Sequence, residues 1–61
     1  MNIKAIRESK NMTQAEVAKI LKVSRTTVTM WETGESMPRA EKLIQLAEVL
    51  NCTIDELLKG A

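Results

Sequence analysis

Apolar residues recur along this chain at intervals of three and four, and short polar punctuation divides the pattern into five segments. In residues 2–10, Ile3 and Ile6 share a face with Ala5 beside them, and Asn2 stands where a helix cap belongs. Thr13-Gln14-Ala15-Glu16 is a capping box, in which the threonine hydroxyl and the glutamate carboxylate each satisfy an amide the other leaves free. Ala15, Val17, Ala18, Ile20 and Leu21 then supply an apolar face, predicting a second helix over 13–21. After Lys22-Val23, Ser24 caps a third helix that runs to Thr33, with Val28 and Trp31 turned together to the core and Gly34 as the stop. Glu35-Ser36-Met37-Pro38 reads as a loop. Leu43, Leu46, Ala47 and Leu50 stripe a fourth helix near 39–50, closed by Asn51. Thr53-Ile54-Asp55-Glu56 repeats the capping box and starts a short final helix with Leu57 and Leu58, ending before Gly60. Strand signals are nearly absent, so the fold class is all-α: five helices in one compact domain over residues 1–61. The opening Met1 and closing Gly60-Ala61 fit a complete small protein, with a piece of a longer chain as the alternative.

Composition narrows the function more than the fold. A chain of 61 residues has too little volume for a water-excluded pocket, it has no histidine, and it shows no glycine-rich phosphate loop. An enzyme is not expected. Cys52 is the single cysteine, so no internal disulfide can form, and neither a metal site nor a cofactor is expected. Set between two apolar segments, Cys52 reads as a small buried thiol. No apolar run approaches the ~20 residues of a membrane span and no signal peptide opens the chain, which makes the cytoplasm the expected location. The net charge is only +1, but it is unevenly spread. Residues 1–34 carry six Lys or Arg against three Glu; residues 35–61 carry three against five Asp or Glu. The basic half is the one to meet an anion.

Two helices, 13–21 and 24–33, joined by so short a turn cannot lie antiparallel. They must cross steeply, as the two helices of a DNA-binding helix-turn-helix do, between Thr13 and Gly34. The residues resemble a known family at this point. Thr13-Gln14-Ala15-Glu16-Val17-Ala18, Val23-Ser24-Arg25-Thr26-Thr27-Val28, Trp31-Glu32-Thr33-Gly34 and Pro38 are similar, in order and spacing, to the phage-repressor and Cro-like (xenobiotic-response-element type) helix-turn-helix family. The resemblance continues through Leu43, Leu46-Ala47, Leu50 and Ile54-Asp55-Glu56-Leu57-Leu58. It implies a lambda-repressor-like fold and double-stranded DNA as the partner of a bacterial or phage regulator of transcription.

Carried over by position, the resemblance implies that Arg25 and Thr26 read base edges from the start of the recognition helix, with Met30 one turn on. Arginine can pair with guanine O6 and N7, and Thr26 and Met30 can pack on a thymine methyl. Gln14 matches the residue that contacts a backbone phosphate and supports the reading residue; Thr13, Ser24, Thr27 and Thr33 are the other expected backbone contacts. Arg7 and Glu32 match a partly buried ion pair. Trp31 is expected in the core rather than on DNA, and Lys19 and Lys22 are expected as solvated charges. Two departures stand out: Lys22 occupies a turn position usually held by glycine, and Glu35-Ser36-Met37 replaces the lysines or arginines that often follow the glycine. Fewer phosphate contacts lighten the grip of one monomer, so a homodimer on a palindromic operator is expected, most often repressing. Ile54, Leu57 and Leu58 are the expected dimer interface, one of the two leucines facing outward. The alternative is an interaction module of the same fold, antitoxin-like or polymerase-binding, whose main partner is a protein.

Overall fold

The computed structural model describes residues 1–59, and every regular element among them is an α-helix. These are α1 (Ile3–Ser9), α2 (Gln14–Leu21), α3 (Arg25–Thr33), α4 (Ala40–Val49) and α5 (Ile54–Leu58). The helix stop expected at Gly60 lies outside the described residues.

The caps explain most of the boundaries. Thr13, Ser24 and Thr53 all take extended backbone (ψ 161°, 155° and 159°), and each side chain accepts from the amide three residues on. Asn2 does not do this. Its ψ is 31° and its side chain caps nothing, because its own amide is held by the Leu57 carbonyl at 2.8 Å, which binds the start of α1 to α5. Left-handed residues end the helices: Lys22 (φ 58°), Gly34 (φ 85°) and Asn51 (φ 51°), with Asn11 (φ 57°) between α1 and α2. Asparagine tolerates this region better than other side chains, whereas lysine at Lys22 takes it at some cost.

One core joins all five helices: Ile3, Val17, Ala18, Leu21, Val28, Trp31, Leu46, Ala47, Leu50 and Leu57. Trp31 is buried as expected, and Leu43 and Cys52 are half-buried at its margin. Three expectations need correction. Ala15 and Ile20 lie outside the core; Ile20 is 54% exposed, because the buried arc of α2 is the narrower stripe of Val17, Ala18 and Leu21. Ala5 is also exposed. Leu57 cannot belong to a subunit interface, since it is 0% exposed and closes the core beneath α1 and α4; Leu58 is the leucine that faces out, 46% exposed, with Ile54 at 38%.

Candidate nucleic-acid interface

The junction of α2 and α3 is tightly specified. Lys22 turns left-handed, so that the amide of Lys22 reaches Lys19 and that of Val23 reaches the Ala18 carbonyl at 3.0 Å. The Val23 side chain tucks against the core, and Ser24 at once caps α3. A second support comes from α4: Lys42 Nζ donates to the Leu21 carbonyl at 2.8 Å, placing a cation on the negative end of the α2 dipole. Together these leave the first turns of α2 and α3 side by side, with Thr13, Gln14, Ser24, Arg25 and Thr26 at the surface or half-buried.

Beneath that surface runs a continuous polar chain. Arg7 and Glu32 form an ion pair, Nε to Oε2 2.7 Å and Nη2 to Oε1 3.3 Å, with side chains only 8% and 4% exposed. The hydrogen bond and charge of Glu32 hold the Arg7 pKa above its ordinary value, against the opposing pull of burial. Arg7 also donates through Nη1 to the Met12 carbonyl at 2.7 Å, fixing the backbone that leads into α2. Glu32 Oε1 accepts from Gln14 Nε2 at 2.8 Å; Gln14 Oε1 in turn accepts from Arg25 Nε at 3.3 Å and lies 3.4 Å from the Thr29 hydroxyl, which donates at 3.1 Å to the Arg25 carbonyl. No buried side-chain nitrogen or oxygen among the described residues lacks a partner. Arg7, Met12, Thr13, Gln14, Ala15 and Arg25 line an open depression of about 480 Å³ in front of this chain.

The helix-turn-helix family model matches residues 3–57 of the chain, from the start of α1 into α5. The chain belongs to the helix-turn-helix family. Within it, this helix-turn-helix domain is of the phage-repressor and Cro-like kind, with an all-α fold. It is 41% identical over 58 residues to the HTH-type transcriptional activator BcrR of Enterococcus faecalis, covering 95% of this chain and 28% of that protein. It is 38% identical over 58 residues to repressor protein C2 of Salmonella phage P22, covering 95% of this chain and 27% of that one. Over 51 residues it is 39% identical to the cryptic phage CTXphi transcriptional repressor RstR of Vibrio cholerae, covering 84% and 46%. The chain thus spans between about a quarter and a half of the length of these relatives.

Within this helix-turn-helix domain the residues singled out from sequence divide into three groups. Arg25 and Thr26 are exposed on the first turn of α3, while Met30 one turn on is half-buried. Gln14 lies within hydrogen-bonding distance of Arg25 at the mouth of the polar chain. The hydroxyls of Thr13, Ser24 and Thr27 are drawn into caps: Thr13 with Glu16, and Ser24 with both the amide and the hydroxyl of Thr27. Thr33 lies farthest along α3, its hydroxyl donating to the Met30 carbonyl at 3.3 Å. Ile54 and Leu58 sit on α5, a separate element from this cluster. Sequence reading missed Lys42, Thr29 and the clasp of Arg7 on Met12. Thr29 looks like any polar residue on an exposed helix face; only its one-turn spacing from Arg25 marks it.

Proposed function

We propose that this domain binds double-stranded DNA sequence-specifically, placing α3 in the major groove, as the reading head of a transcriptional regulator. The supporting observation is Arg25, exposed on the first turn of α3 and hydrogen-bonded to Gln14 of α2. Arg25 reads a guanine through two parallel donors; Thr26 and Met30 pack on neighbouring base edges. The first turn of α2 meets a phosphate with its free amides, and Gln14, Thr13, Ser24, Thr27 and Thr33 supply further backbone contacts. Relatives named as repressors support repression as the usual outcome, although BcrR is named an activator. Two copies joined through Ile54 and Leu58 would set their recognition helices ~34 Å apart on a palindromic operator.

Selection from random duplex DNA followed by mobility shift tests this reading. A symmetric site is expected, with Arg25→Ala erasing the preference for one base in each half. Unchanged affinity and preference in Arg25→Ala would remove Arg25 from the reading role. A second reading is favoured by the uncharged Ser36-Met37 stretch after Gly34, in which Met37 is 62% exposed: a module of the same fold that docks on a protein. A flat salt dependence of DNA affinity would support it over the first. No helix among the described residues is long and apolar enough to cross a membrane.

A further inference from the structure

Glu32 does not reach the exposed face of α3, yet it governs what that face offers. A carboxylate has only acceptors, so of the two ends of the Gln14 amide only Nε2 can face it, and Nε2 does so at 2.8 Å. The amide is planar, and Oε1 is therefore presented on the opposite side. There it meets Arg25 Nε as a donor at 3.3 Å, while the Thr29 hydroxyl, 3.4 Å away, gives its one proton in the shorter bond to the Arg25 carbonyl at 3.1 Å. With Nε engaged on Gln14, Arg25 keeps the Nη1–Nη2 edge free, a fork of parallel donors. Guanine offers two acceptors to such a fork. Adenine offers one acceptor and one donor, which opposes it. Were the Gln14 amide reversed, its NH2 would confront the Arg25 Nε–H and the guanidinium would swing away. Glu32 cannot rotate to permit this, because Arg7 holds both of its oxygens and the carboxylate is almost wholly buried.

We propose that Glu32 is a positioning residue for base discrimination: clamped by Arg7, it locks the Gln14 amide in the one orientation that presents the Arg25 fork to guanine. The proposal rests on the reading of Arg25 as a base-contacting residue. It assigns to a buried glutamate, two turns from the exposed end of α3, control over selectivity rather than affinity alone. A glutamate that served only the fold would weaken binding to all duplexes alike when replaced.

The test uses the full chain and its selected duplex. The base facing Arg25 is located as the position whose preference Arg25→Ala erases, and Kd is then compared for guanine and adenine there. A bidentate arginine discriminates by roughly five-fold to a hundred-fold, and Glu32→Gln is expected to lower that ratio by about five-fold or more. Preferences at positions read by Thr26 should stay within about two-fold, since the effect is local to one contact. In the free protein, the Gln14 side-chain NH2 resonances should shift in Glu32→Gln, reporting loss of the carboxylate bond without DNA. Gln14→Met leaves the Arg7–Glu32 pair intact and should lose the same discrimination, which carries the test if Glu32→Gln does not fold. If Arg25→Ala erases the preference while Glu32→Gln or Gln14→Met retains it, the positioning role is overturned and the reading role stands. If Arg25→Ala changes no preference, both fall.

Discussion

Two helices of this domain begin in the same way and serve different ends. Thr13 and Thr53 adopt nearly identical backbone angles, and each trades the same two bonds with the glutamate three residues on: 2.8 and 3.1 Å in the first box, 3.0 and 3.1 Å in the second. Around Thr13 the connections are polar and reach far along the chain: the Met12 carbonyl on one side is held by Arg7, and Gln14 on the other by Glu32. Around Thr53 the long-range side-chain connections are apolar, and α5 is fastened through Leu57, its side chain in the core and its carbonyl on the Asn2 amide. A capping box thus decides where a helix starts, while its neighbours decide whether that start becomes a working surface or an anchor.

The largest effects should come from cutting these two kinds of fastening. Arg7→Ala strands the Glu32 carboxylate in a dry setting and should cost ~3–5 kcal/mol in urea unfolding. Leu57→Ala leaves a cavity and should cost ~2–5 kcal/mol. Either is a large share of what so small a domain possesses, so both variants should be partly unfolded at 37 °C. The contrast between the two regions breaks if Arg7→Ala costs less than about 1 kcal/mol, the value of a surface ion pair.

Smaller effects sharpen the comparison. Thr13→Ala and Thr53→Ala should each lose about 1 kcal/mol, as helix caps do. Only Thr13→Ala should also weaken DNA in a mobility shift corrected for the folded fraction; equal weakening by both would erase the functional difference between the boxes. The smallest effect is with pH. The amide and then the hydroxyl of Thr13 hold the Glu16 pKa below its ordinary value of 4.5, and those of Thr53 do the same for Glu56. Folded-state values below the unfolded ones mean that the folded form binds fewer protons, so this stabilisation is complete above about 5 and fades as pH falls through 4.5 and below. Thermal melts between pH 3 and 6 should show a shallower acid decline in the Glu16→Gln, Glu56→Gln double variant than in the wild type.

What was legible in sequence was what depends on neighbours in sequence. The boxes at Thr13 and Thr53 and the Ser24 cap are set by residues within one helical turn, and they can be read directly, whereas the turn at Lys22 was marked only by the glycine that the resembling family carries there. Asn2 misled because its conformation follows from a bond to Leu57, which no local pattern reveals. Ile20 and Ala15 misled because apolar spacing gives the phase of a helix but not the width of its buried arc. For Leu57 and Leu58 the spacing left either one free to turn inward, and only the docked α5 chooses. The core of the candidate site, Gln14 beside Arg25 over Arg7 and Glu32, came from the resemblance of whole motifs. The brace of Lys42 on Leu21 joins residues on separate helices and left no mark in the sequence.

The bond from the Asn2 amide to the Leu57 carbonyl clasps nearly the first described residue to nearly the last. During synthesis, then, α2 and α3 emerge with their recognition surface spelled out but with a core still missing Leu57. A nascent chain paused before α5 is expected to remain protease-sensitive and unable to hold its DNA, and to become protease-resistant and competent to bind together once α5 clears the ribosome. The same clasp makes the Asn2 amide a reporter on the whole domain: although it precedes α1, its hydrogen exchange should be as slow as that of the α3 core, because releasing it requires undocking α5.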